Sequence, residues 1–268
     1  MRLTQRALLH NKNHDLPGWE FILPSLVLLG LIGLPVVALV WRSVDIHVLS
    51  FALSGSAVNA LKLSLVTSTI TVLLSLITGT PVAYIQAHWR FRGRAIIDLL
   101  VDLPVVLPPS VAGIALLMAF GRGGILGGLL GSIGITIPFT TTAVVMAQVF
   151  VSAPFLVRSA RIGFAAIDQQ LEEAAKVEGA SNWHVFRHIM LPLAGRALVT
   201  GIILCWTRAL GEFGATLLFA GNLEGKTQTM PLAIYVGFEQ GLGIALVLSL
   251  ILLAVSLVLL TLVRRLER

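Results

Sequence analysis

Apolar residues fall along this chain in blocks too long for the elements of an ordinary soluble core. Phe21–Trp41, Leu63–Ala87 and Gly241–Val263 contain no charged residue at all. Three further apolar stretches, about Ala95–Phe120, Pro138–Val157 and Ala197–Ala220, carry few charges. Crossing the hydrocarbon layer takes about 20 residues of α-helix, so each block is long enough to span. The pattern predicts an all-α polytopic membrane protein with six transmembrane helices. Residues 1–20 form an N-terminal segment, 21–263 a single six-helix transmembrane domain, and 264–268 a basic tail. The first block lacks a small-x-small cleavage site and is too long for a signal peptide, so it is expected to remain as a span. Pro81 is expected to kink span two. Pro104, Pro108 and Pro109 in span three free backbone carbonyls that lipid cannot satisfy, so that region is expected to face protein or a cavity.

The connections are equally patterned. Residues 42–57 make a short link containing Asp45 and His47, and His88-Trp89-Arg90-Phe91-Arg92-Gly93-Arg94 is a short basic turn. Gly121–Gly134 is dense in glycine but lacks the Gly-Lys-Ser/Thr ending of a nucleotide loop, and reads as a flexible external loop. Gly221–Gln240 is polar and mixed. Between spans four and five lies a longer polar stretch, 168–192. Asp168 can cap a helix over Leu171–Val177, and Gly179 can supply the positive φ that ends it. Ser181 can cap a second helix over Trp183–Ile189, which Pro192 should keep from extending. The result is a helix–turn–helix elbow outside the lipid, with Val177, Trp183, Val185, Phe186 and Ile189 as apolar knobs. Large apolar side chains on a protruding element indicate a docking surface.

Composition agrees with a membrane protein: of 268 residues, 56% are hydrophobic and 12% charged. The net charge of +6 would suit nucleic acid were it spread over one soluble face. Instead, six spans place fourteen lysines and arginines on the side of the termini and the elbow, against four on the other side, with Arg208 inside a span. The positive-inside bias therefore puts both termini and the elbow in the cytoplasm, and nucleic acid drops out. One cysteine, Cys205, excludes an internal disulfide. No Cys/His spacing suggests zinc, and no cofactor is expected.

Glu173-Ala174-Ala175, then Gly179, then Ile189-x-Leu191-Pro192 match the EAA pattern, EAA–x3–G–x9–I–x–LP, at every defining position. The chain thereby resembles the membrane subunits of binding-protein-dependent ABC importers. Thr207-Arg208-Ala209-Leu210-Gly211-Glu212-Phe213-Gly214-Ala215 resembles their molybdate/tungstate and sulfate branches alike. Thr227-Gln228-Thr229-Met230-Pro231-Leu232-Ala233-Ile234-Tyr235, Asp102-Leu103-Pro104 and Leu107-Pro108-Pro109 look more like the molybdate kind. The resemblance runs from about Leu61 to the C-terminus. It implies a permease that pairs with a second copy of itself and carries an oxyanion delivered by an external substrate-binding protein. It also implies that the elbow docks on a cytoplasmic ABC ATPase dimer, in a prokaryotic inner membrane. Glu173, Ala174, Ala175, Gly179, Trp183, Phe186, Ile189, Leu191 and Pro192 are then the ATPase-coupling residues. The chain itself would not be an enzyme. The alternatives are a sulfate or thiosulfate ABC permease, and an ion-coupled secondary transporter that would need neither elbow nor ATPase.

Few charged residues lie within the spans. Arg208 and Glu212 are one helical turn apart, and a charge at the bilayer centre costs about 2.5–3.5 kcal/mol, so neither should face lipid. They read either as a pathway or gate group, with Gly211, Phe213 and Gly214, or as a structural ion pair. Asp98 and Asp102 share a face, as a proton relay or as partners for arginines such as Arg94. His184 and His188 are also four apart, but no carboxylate completes a metal site. A tetrahedral dianion is costly to move through a low-dielectric medium. Thr67, Ser68, Thr69, Thr71, Ser75, Thr78, Thr200 and Thr207 either line its path or serve helix packing.

Overall fold

The computed structural model describes residues 18–44 and 55–266, and every element among them is helical. Residues 1–17, the link holding Asp45 and His47, and the last two residues of the basic tail lie outside the described residues. The chain divides into two compact units, Met1–Ile46 and His47–Arg268. Helix α1 (Trp19–Val44) makes up the first. It carries Pro24 and Pro35, and its large apolar side chains are exposed from Trp19 to Trp41.

The second unit is organised around α2 (Gly55–His88) and α6 (Thr141–Ala165). The buried face of α2 is made of small and hydroxyl residues at helical spacing: Ala57, Ala60, Ser64, Thr67, Ser68, Thr71, Ser75, Gly79 and Ala83. Its large residues, Val66, Ile70, Leu73, Leu74 and Ile77, point outward. Lipid supplies no hydrophobic force between helices, so association relies on close backbone approach and interhelical hydrogen bonds. Both are present. Thr71 Oγ1 donates to Gln148 Oε1 of α6 at 3.1 Å. Ser68 Oγ accepts from Trp206 Nε1 at 2.7 Å, and Ser64 Oγ accepts from the Met230 amide at 2.7 Å. A Cβ on Gly79 would sit 2.9 Å from a Val157 methyl. Thr67, Ser68, Thr71 and Ser75 are thus buried in the packing of this unit; Thr69 and Thr78 are exposed on the opposite face.

Two expected spans are broken. The third is divided into α3 (Arg94–Val106) and α4 (Pro109–Phe120). Leu107 and Pro108 between them are extended, because a residue before proline is driven out of the α region and Pro109 fits the first position of a new helix. The fifth is divided into α9 (Gly195–Leu210) and α10 (Gly214–Ala220). The two breaks pack on each other: a Cβ on Gly214 would lie 2.9 Å from Pro109 Cβ. Below them α4 and α10 are so close that a Cβ on Gly113 would meet the Ala215 carbonyl and Leu218 Cβ, each at 2.9 Å.

The connections are more ordered than their composition suggests. The glycine-rich segment folds back on α4, with the Ile125 and Leu126 amides donating to the Met118 and Ala119 carbonyls, and then forms α5 (Gly127–Ser132). It is a backbone-bonded cap, not the free loop expected of so many glycines. In the segment after α10, the Leu223 carbonyl accepts from the amides of Lys226, Thr227 and Gln228, and the Thr227 hydroxyl accepts from the Leu223 amide. Pro231 then starts α11 (Met230–Gln240), which packs on α12 (Leu242–Leu266). Among the described residues, α1, α2 and α6 are long and apolar enough to cross a membrane. A fourth crossing exists if Asn182–Leu193 and Gly195–Leu210, bent by 74°, are taken together.

Because the α4–α10 contact has no room for a side chain, Gly113→Val should force the two half-helices apart. The expected loss is about 1–3 kcal/mol, read as a lower thermal midpoint of the detergent-purified protein.

Candidate coupling elbow and charged helix break

The elbow forms largely as its residues dictate. Asp168 Oδ1 accepts from the Gln170 amide at 2.9 Å and opens α7 (Gln169–Val177). Gly179, at φ +90°, ends it. The Ala180 amide bonds to the Ala175 carbonyl and the Gly179 amide to the Lys176 carbonyl, both at 3.0 Å, which is the Schellman arrangement. Ser181 Oγ accepts from the His184 amide at 3.2 Å and starts the second helix, α8 (Asn182–Leu193).

That helix departs from expectation. Pro192 does not stop it, because the turn before it widens: Phe186–Met190 is π-helical, and the Leu191 amide reaches back to the Phe186 carbonyl. A proline that lacks an amide and crowds the preceding turn is accommodated by such a bulge. The chain bends two residues later, at Ala194. Val185 is also misplaced by sequence reasoning. It is fully buried with Met190 among Ala83, Tyr84, Val157 and Phe164, so it anchors the elbow and is no outward knob. Phe186 and Ile189 are half-buried on that cluster, whereas Val177 (88%) and Trp183 (65%) project.

The EAA residues divide accordingly. Glu173, Ala174, Gly179 and Pro192 are exposed, and Ala175 and Leu191 are half-buried. Ala175, Gly179, Ser181, His184 and Ile189 are among the residues lining an open groove of about 580 Å3. His184 and His188 stack with ring centres 4.2 Å apart, and the described residues contain no metal-binding cluster of histidine, cysteine and carboxylate side chains.

Sequence reasoning missed the root of the elbow. Glu172, beside the motif's Glu173, is buried; its Oε1 receives Lys176 Nζ at 2.7 Å and its Oε2 faces His88 Nε2 at 3.5 Å. Tyr84 packs on His88 (ring centres 4.4 Å), Phe186 (4.9 Å) and Phe164 (5.3 Å). The i, i+4 spacing of Glu172 and Lys176 was readable; the approach of His88, far away in sequence, was not.

The second group lies at the break between α9 and α10. Arg208 Nη1 meets Glu212 Oε2 at 2.6 Å, and Glu212 Oε1 accepts from the Ala215 amide at 2.8 Å. Glu212 thus neutralises the arginine and satisfies a free amide of α10. Its side chain is 1% exposed, against 29% for Arg208. Gly211 and Phe213 line an open apolar groove of about 540 Å3 with Tyr235 and Phe238, the Phe213 and Tyr235 rings being 5.5 Å apart. Gly214 is committed to Pro109, as described above. Asp98 and Asp102 resolve as partners of arginine: Asp98 meets Arg94 (3.7 Å) and Arg161 (3.3 Å), and Asp102 meets Arg158 (2.7 Å). The pairs with Arg158 and Arg161 tie α3 to α6.

The chain as a whole is similar to known transport proteins. The chain is 41% identical over 231 residues to the probable transport system permease protein NifC of Clostridium pasteurianum, covering 86% of this chain and 81% of that one. It is 41% identical over 244 residues to the molybdenum transport system permease protein ModB of Mycobacterium tuberculosis, covering 90% and 91%. Its fold is similar to that of a bacterial ABC transporter involved in the import of the acidic polysaccharide alginate, with a TM-score of 0.76 at 17% identity over 93% of this chain and 94% of that one. Residues 75–268, which contain the elbow and the charged break, match the inner membrane components of binding-protein-dependent transport systems, and the chain belongs to that family.

Proposed function

We propose that this chain is the membrane permease of an ATP-driven importer for molybdate or tungstate. The observation that carries the reading is the elbow: a Schellman-terminated helix pair, rooted in the apolar cluster of Val185 and Met190, projecting Val177 and Trp183. A relative 41% identical over nine-tenths of the chain is named a molybdenum transport permease, which supports the substrate class. ATP hydrolysis belongs to a separate subunit.

In this reading α3 with α4 and α9 with α10 are two interrupted spans, and α12 is the sixth. Both termini and the elbow lie in the cytoplasm of a prokaryotic cell, and the protein sits in its inner membrane. Helix α2 supports this placement. Its 34 residues extend about 50 Å, well beyond the ~30 Å of hydrocarbon, so its His88 end carries the elbow clear of the lipid. Two copies enclose the pathway. ATP-driven closure of an ATPase dimer, docked on Glu173, Ala174, Ala175, Gly179, Trp183, Phe186, Ile189, Leu191 and Pro192, draws the elbows together. The pathway then opens toward an external binding protein, which supplies capture and selectivity. Arg208, Gly211, Glu212, Phe213 and Gly214 form the gate region, where one cation is held against a buried carboxylate.

Proteoliposomes containing the permease, its ATPase and the external receptor should take up molybdate only with ATP, and Val177→Asp with Trp183→Asp should abolish co-purification of the ATPase. Uptake without the ATPase would instead establish an ion-coupled carrier, and uptake competed only by sulfate would establish the sulfate reading. At the gate, Arg208→Gln combined with Glu212→Gln removes both charges without stranding either. The variant should assemble normally yet lose most uptake; unchanged uptake would leave the pair a purely structural one.

A further inference from the structure

We infer that Glu172, and not the motif residue Glu173, is the positioning residue that fastens the elbow to the membrane body, so that force on α7 reaches the His88 end of α2. The inference rests on the coupling reading above and adds the joint through which the elbow acts. Three observations carry it. First, the two neighbouring glutamates face opposite ways: Glu173 is exposed and has no ion-pair partner among the described residues, while Glu172 is buried with both oxygens engaged. A carboxylate is kept out of water only where specific partners hold it.

Second, the partners connect different elements. Lys176 lies on α7 itself, and its side chain is 42% exposed. His88 is the last residue of α2. Its Nδ1 lies 3.1 Å from the Tyr84 carbonyl, which holds the ring on α2, and its Nε2 lies 3.5 Å from Glu172 Oε2. Third, the packing of this region on the body is apolar, through Ala175 of α7 and Ile167 just before it, at the edge of the Tyr84–Phe164 cluster. Apolar contacts resist separation but are non-directional and permit sliding. The Glu172–His88 contact instead joins one polar atom on each element, 3.5 Å apart and sheltered from water. It is the contact that converts a lateral pull on α7 into movement of α2, and through the tightly packed α2–α6 face into the rest of the unit.

The test uses the complete transporter with its ATPase and external receptor in proteoliposomes. The readouts are anion transported per ATP hydrolysed and the mobility of a spin label at Gln169→Cys, an exposed position of α7 outside the docking residues. Glu172→Gln, His88→Leu and the double variant are compared. Each single variant should retain the ATPase and hydrolyse ATP while transported anion per ATP falls roughly three- to tenfold, within the lower part of the coupling range of neighbours in one ion-pair network. Label mobility should rise, and the double variant should be no worse than either single one. Should Glu172→Gln fail to accumulate, Lys176→Met, at the exposed end of the same chain of contacts, should show a smaller loss of the same kind. Wild-type stoichiometry in these variants with the ATPase bound, or strictly additive losses in the double variant, would overturn the inference. Failure of the unmutated permease to bind any ATPase would overturn the coupling reading itself, and this inference with it.

Discussion

Close contact between α2 and α6 is the interaction from which the rest of the second unit follows. In lipid the usual segregation of large apolar residues to the interior gains nothing, so the sequence inverts it: α2 turns alanine, serine, threonine and glycine inward and its branched side chains outward. The resulting interface is narrow enough for Thr71 to reach Gln148 and for Ser68 to reach Trp206 of α9. With these three helices fixed, α11 is placed by the bond from the Met230 amide to Ser64. Of the hydroxyls that look like a polar path in the sequence, those of Ser68 and Thr71 hold helices together.

That frame tolerates two interrupted helices because each interruption satisfies its own backbone groups and the two pack closely together. A helix end inside a membrane leaves amides and carbonyls that lipid cannot accept. Here Pro108 and Pro109 contribute no amide at one break, and at the other the Glu212 carboxylate accepts from the Ala215 amide. Glycines at 113 and 214 let the two breaks and their half-helices touch. A break stabilised by an ion pair is a natural place for a gate, since the same carboxylate serves the helix end and the arginine.

The elbow shows a comparable division of labour between polar and apolar contacts. Val185 and Met190 drive it onto the body by burial, Tyr84 and Phe164 shape the seat, and Glu172 with His88 fixes the register. Half-exposed pairs elsewhere, such as Asp102 with Arg158, stabilise little because water screens them. The same chemistry, sheltered at the elbow root, ties one element to another.

Periodicity and caps act within a few residues, and much of that range was legible. The apolar blocks, the Asp168 and Ser181 caps, the left-handed Gly179 and the pairing of Arg208 with Glu212 all follow from local spacing. What depends on residues far apart in the chain was not. The burial of Val185, the passage of the helix through Pro192, the folding of the glycine-rich segment onto α4 and the meeting of the two helix breaks are decided by which surfaces come together. The clearest case is a pair of adjacent glutamates: sequence spacing singled out Glu173 through its motif, but only the approach of His88 from α2 made Glu172 the buried one. Local geometry settles whether a side chain is on a helix and which turn it occupies. Its environment is set by the partner that the fold brings against it.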